Sequence, residues 1–81
     1  MEKFYTYILY SSKLDKYYVG STSDIERRLG EHNRGKGTYT RLGMPWELVY
    51  SEEFFSKKEA VAREMKIKKR KSRTYIDNLI G

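Results

Sequence analysis

The stretch YYVGSTSDIERRLGEH, residues 17–32, decides how the chain is read. YYVG has the aromatic and β-branched character of a strand ending in glycine, and STSD is a polar turn. DIERRLGEH then carries apolar residues at helical spacing. Ser23 and Glu26 stand in the S-x-x-E arrangement of a capping box, with Ser23 as N-cap, and Gly35 is placed to close the helix. A strand that turns directly into a capped helix requires a sheet face for that helix to cover.

Toward the N-terminus, KFYTYILYS, residues 3–11, reads as a strand, and SKLDK is the turn that folds it back on YYVG as a hairpin. Toward the C-terminus, GKGTYTRLGMP holds three glycines and a proline and reads as a loop. WELVYSEEF alternates with period two as a third strand. Ser56 and Glu59 form a second capping box, opening a helix that runs to about Lys71. SRTYIDNLIG, with Tyr75, Ile76, Leu79 and Ile80 apolar, reads as a short terminal helix. The order β-β-α-β-α-α predicts an α+β fold in which helices flank a three-stranded antiparallel sheet, as one domain over residues 1–81.

Charge and composition narrow the chemistry. Of 81 residues, 38% are hydrophobic and the net charge is +6, which suits a polyanionic partner, nucleic acid before an anionic membrane surface. Cysteine is absent, so disulfides, disulfide-linked partners and thiolate metal sites are excluded. The single histidine, His32, excludes a multi-histidine metal site. Any metal would need oxygen ligands, as Mg²⁺ or Mn²⁺ accept. No apolar run reaches membrane-spanning length, and residues 1–10 lack a basic region ahead of an apolar one, so a cytoplasmic protein without a membrane partner is expected.

Helical geometry separates residues that look alike. With Ile25 at the origin and 100° per residue, Arg28 falls at about 300°, beside the stripe of Ile25, Leu29 and His32, whereas Arg27 falls at about 200° and faces solvent. Arg28 is then either a stem lying over the core edge or a functional cation. In the second long helix, with Val61 at the origin, Met65 lies at about 40°, Ala60 at about 260°, Ile67 at about 240° and Glu64 at about 300°. A carboxylate inside such an arc is costly unless paired or bound to a cation. Glu64 is therefore an ion-pair partner, for instance of Arg28, or a metal ligand or catalytic carboxylate.

The hairpin places Tyr5, Tyr7 and Leu9 on one face of the first strand and Phe4, Thr6, Ile8 and Tyr10 on the other. Tyr18 precedes Gly20 by two, and a glycine at a strand end often marks the close approach of another backbone or a ligand. Lys36, Tyr39 and Arg41 interleave cations with an aromatic ring, a pattern suited to a nucleic-acid strand and equally to an ordinary mobile loop. The dense run from Lys66 to Arg73 suits the solvated C-terminal face of a helix before it suits phosphate.

These residues together resemble the GIY-YIG nuclease domain family, in its small stand-alone form. Tyr18-Val19-Gly20 matches the second half of the family's signature, and Tyr5-Thr6-Tyr7, followed by Ile8-Leu9, stands for the first half with its tyrosine kept. Arg28 and His32 in DIERRLGEH, and Glu64 in AVAREMKIKK, match the family's helix arginine, histidine and metal-binding glutamate. The glycine and isoleucine of the first half are replaced by Tyr5 and Thr6, and Tyr10 stands where some family nucleases carry a lysine.

The resemblance implies a metal-dependent endonuclease hydrolysing phosphodiester bonds in DNA, with branched or damaged DNA among the expected substrates. Tyr7 would be the general base and Tyr18 a hydrogen-bonding partner or alternate base. Arg28 would be the phosphate clamp and His32 an orienting or phosphate-contacting group. Glu64 would hold a single Mg²⁺ or Mn²⁺. Gly20 would give close approach at the site floor, and Lys36, Tyr39 and Arg41 would meet the substrate. A partner protein is expected to supply specificity. The alternative is a nucleic-acid-binding module of the same fold with little cleavage. A third reading is a small basic structural protein.

Overall fold

The computed structural model describes residues 2–81. In chain order the elements are β1 (Phe4–Ser11), β2 (Lys16–Thr22), α1 (Ile25–His32), α2 (Thr38–Leu42), β3 (Trp46–Phe54), α3 (Lys57–Arg70) and α4 (Arg73–Ile80). The three strands form one antiparallel sheet in the order β2-β1-β3. The expected elements are therefore present in the expected order. α2 is additional and lies inside the glycine-rich loop.

Period-two alternation along β1 distributes its side chains between two cores. Tyr7 and Leu9 join Trp46 on one face, where Tyr18, Ile25, Leu29 and Met44 pack against them, so α1 covers this side. Ile8 joins Val19 and Ile67 on the other, with Tyr17, Val49, Tyr50, Tyr75, Ile76 and Leu79, so α3 and α4 cover that side. The pairing of β1 with β3 shifts between Ile8, opposite Tyr50, and Leu9, opposite Leu48. Val49 is the extra residue of this bulge.

Three local expectations are corrected. The N-cap of α1 is Asp24, not Ser23. Asp24 Oδ1 accepts from the Arg27 amide at 3.1 Å, and an ionised carboxylate is the stronger acceptor at a helix N-terminus. The second capping box stands as expected, with Ser56 Oγ accepting from the Glu59 amide at 3.1 Å. In α3 the buried arc is centred on Ala60 and Ile67, while Val61 and Met65 are 37% and 49% exposed. Two contacts set this rotation. Thr6 Oγ1 donates to the Ala60 carbonyl at 2.7 Å, and Arg63 bonds Glu52 on β3 at 2.9 Å. Finally, α2 forms despite its glycine-rich setting because Thr40 is buried and its carbonyl accepts from Trp46 Nε1 at 2.6 Å.

α1 is tied to the sheet at its C-terminal end. Asn33, its C-cap residue, donates through Nδ2 to the Trp46 carbonyl at 3.0 Å and accepts the Trp46 amide on Oδ1 at 2.6 Å. This two-way bond holds the last turn, and His32 with it, against the start of β3. Among the described residues, no helix is long and apolar enough to cross a membrane.

Candidate active site

Tyr7 lies in the middle of β1, opposite Gly20 on β2, and its phenol is laid directly over that glycine. A Cβ at Gly20 would stand 2.6 Å from the Tyr7 hydroxyl oxygen and 2.7 Å from Cζ. Gly20 is itself buried beneath the ring. Its lack of a side chain therefore serves the placement of Tyr7, and it is not an open floor for substrate.

The Tyr7 hydroxyl lies 3.1 Å from His32 Nε2. His32 is 3% exposed and Tyr7 2% exposed, so this contact is shielded from water. Burial raises the Tyr7 pKa from 10.0 to about 12. The neighbouring Tyr18 and Glu64 push the same way, and the Arg28 guanidinium opposes them without prevailing. Positive charge from Arg28 thus fails to make Tyr7 a ready phenolate. Burial, with Arg28 second, lowers the His32 pKa below 6.5, so its imidazole is neutral near pH 7. In the tautomer protonated on Nδ1, Nε2 accepts the Tyr7 hydroxyl proton. Sequence geometry put His32 on the right face of α1, but its partner is Tyr7. Tyr18 meets the imidazole through ring packing at 4.8 Å between centroids.

Beside this pair lies a cavity of about 280 Å³ lined by Tyr18, Arg28, Glu31, His32, Lys36 and Tyr39, among others. Arg28 reaches it from the border of α1, as the helical geometry predicts. Glu31 takes Arg28 Nη1 at 2.8 Å on one carboxylate oxygen and Arg27 Nη1 at 3.1 Å on the other. This bond raises the Arg28 pKa further and lowers that of Glu31. Glu31 is the site residue that sequence reasoning missed, although its spacing of three from Arg28 and four from Arg27 is a readable signal. Tyr39 is 45% exposed and stacks on Tyr18 at 6.4 Å. Arg41 is exposed and is not among the residues lining the cavity.

Glu64 stands across the edge of the sheet from this cavity. Its Oε1 accepts from Ser21 Oγ, one residue beyond Gly20, at 2.7 Å. Its Oε2 accepts from Lys68 Nζ at 2.6 Å. Glu64 is an ion-pair partner, but of Lys68 rather than Arg28, because Arg28 is taken by Glu31 and Glu64 has its own cation one helical turn away. Among the described residues no three His, Cys, Asp or Glu side chains converge as metal ligands. A metal here would be held by the Glu64 carboxylate alone. The donor fits Mg²⁺ or Mn²⁺, which accept one carboxylate and complete their shell with water and phosphate oxygens. The carboxylate already holds a cation, with 17% of its side chain exposed.

Comparison with known proteins identifies the family of the chain. The sequence matches the family model of the GIY-YIG catalytic domain over residues 3–76. A UPF0213 protein of Streptococcus pneumoniae is 44% identical over 70 residues, 85% of this chain and 70% of that protein. A UPF0213 protein of Staphylococcus saprophyticus is 45% identical over 69 residues, 84% of this chain and 83% of that protein. The solution NMR structure of a UPF0213 protein from Bacillus halodurans matches with a TM-score of 0.59 at 38% identity. The match covers 96% of this chain and 82% of that one.

Proposed function

Since the chain belongs to the GIY-YIG catalytic domain family, we propose that it is an endonuclease that hydrolyses phosphodiester bonds in DNA. The observation that carries this reading is the shielded bond from Tyr7 to a neutral His32 at the wall of a cation-lined cavity.

A phenol with a pKa of about 12 is ionised in only roughly one molecule in 10⁵ at pH 7. Tyr7 is a poor base by itself. Paired with His32 it needs no free phenolate: its oxygen takes a proton from the attacking water while its own proton passes to Nε2. Arg28 and Lys36 receive the phosphate in the cavity, and Arg28 turns from Glu31 to do so. Tyr39 offers an exposed ring face on which a base stacks. Glu64 would hold Mg²⁺ or Mn²⁺, which supplies charge stabilisation for the leaving oxygen. The target forms are branched or damaged DNA, with a partner protein supplying further specificity.

The test is nicking of supercoiled, branched and single-stranded DNA with Mg²⁺ or Mn²⁺. Tyr7→Phe and His32→Gln should each lose about 10²–10⁴-fold in rate. One observation favours a second reading, a binding module with little cleavage: Arg28 and Glu64 are both already neutralised, by Glu31 and Lys68. If wild type binds DNA but nicks no more than Glu64→Gln, the binding module replaces the nuclease.

A further inference from the structure

The pair between Glu64 and Lys68 has a consequence for metal binding, on the reading that Glu64 is the metal ligand. We propose that Lys68 is the resident counter-ion of Glu64, and that a divalent cation binds this carboxylate only by displacing it. Lys68 thereby sets the metal concentration at which the site loads.

Both carboxylate oxygens are in use. Oε1 takes the Ser21 hydroxyl at 2.7 Å and Oε2 takes the Lys68 ammonium at 2.6 Å. The Ser21 hydroxyl is neutral and its oxygen keeps free lone pairs, so it tolerates a metal on the same carboxylate. An ammonium in contact with Oε2 does not, because the two cations would repel at close range. The spacing of four residues on α3 puts Lys68 within reach of Glu64 whenever the helix is formed.

The exchange is inexpensive on the lysine side. Lys68 is 47% exposed on a four-carbon stem, and pairs of this kind contribute little to stability. The displaced ammonium also has a place to go. Lys68 lines a shallow groove of about 260 Å³ along the β2 side, together with Lys16, Tyr17, Val19, Lys71 and Arg73. Arg73 is engaged there by Asp15 at 2.7 Å. Lys16, Lys68 and Lys71 would then face the groove together and could meet a phosphate of a nucleic-acid strand. Metal arrival would move one positive charge from the carboxylate to the groove, and by linkage a polyanion in the groove would favour metal on Glu64.

The experiment is Mn²⁺ titration of the full chain without nucleic acid, with free Mn²⁺ read by electron paramagnetic resonance and folding checked by thermal melts. Lys68→Met should bind Mn²⁺ about fivefold more tightly than wild type, equivalent to about 1 kcal/mol. Lys68→Arg, which keeps the charge, should stay near wild type. Lys69→Met removes a neighbouring charge outside the pair and should change affinity by less than about twofold. Should Lys68→Met fail to fold, Lys68→Gln takes its place. Equal affinities for the Lys68→Met and Lys69→Met variants overturn the proposal, while loss of Mn²⁺ binding in Glu64→Gln keeps the ligand reading. Unchanged binding in Glu64→Gln overturns the ligand reading and the proposal together.

Discussion

The Tyr7 hydroxyl and the His32 imidazole face one another at 3.1 Å between β1 and α1, both withdrawn from water. Burial drives their pKa values in opposite directions, the phenol up and the imidazole down. Each group is therefore held neutral over the middle of the pH range, with the phenol proton directed at Nε2 in the tautomer protonated on Nδ1.

Stability should fall on mild acidification because of His32. Its folded pKa is lowered from 6.5, so below that pH the unfolded chain takes a proton that the folded chain refuses. The contribution is complete above 6.5 and is lost as the pH falls toward the folded value. Melting temperatures from about pH 7.5 to about pH 5 should fall less steeply for His32→Gln than for wild type. Parallel slopes would show that His32 titrates normally.

Gly20→Ala should damage the site through Tyr7. The new Cβ would stand 2.6 Å from the phenol oxygen, so the ring must shift. The expected loss is about 1–3 kcal/mol in urea unfolding, with a larger relative loss of nicking than of DNA affinity. A variant with wild-type nicking would mean that the ring relaxes without cost.

Asn33→Ala removes both bonds to the Trp46 backbone and leaves its amide unpaired. A cost of about 1–3 kcal/mol is expected. In a chain of this size that is a drop of roughly 4–8 °C per kcal/mol in melting temperature.

The rotation of α3 separates two apolar residues two positions apart. Ile67→Ala opens the core beside Ile8 and Val19 and should cost about 2–5 kcal/mol. Met65→Ala, at a half-exposed position, should stay within about 1 kcal/mol of wild type. Equal losses would contradict the packing.

Glu31→Gln should release Arg28 into the cavity and remove a negative charge from its wall. DNA binding by fluorescence anisotropy should tighten by about three- to tenfold at low salt, and the gain should shrink as salt rises.

Much of this arrangement was legible in the sequence because it depends on local periodicity. The hairpin, the Ser56 cap, the border position of Arg28 and the strand–turn–helix of residues 17–32 follow from alternation, capping and a 100° wheel. What was not legible depends on tertiary contacts. The rotation of α3 is set by Thr6 and Glu52, far from it in sequence, so a wheel centred on Val61 placed Glu64 too deep. α2 exists because Trp46 bonds Thr40. Glu64 bonds a serine and His32 a tyrosine on other elements, and composition does not announce either, whereas Lys68, the cation of Glu64, stands at the readable spacing of four. Glu31 differs from these, since its spacing of three from Arg28 and four from Arg27 is local and readable.

β2 and β3 are the two edges of the sheet, and they are not equivalent. The Tyr7–Gly20 contact lies on one side of β2 and the Ser21–Glu64 bond on the other, so that edge carries chemistry on both faces. A second strand pairing there would wall off the approach to both. Any assembly of this protein by strand addition that leaves the site open has only the β3 edge to use.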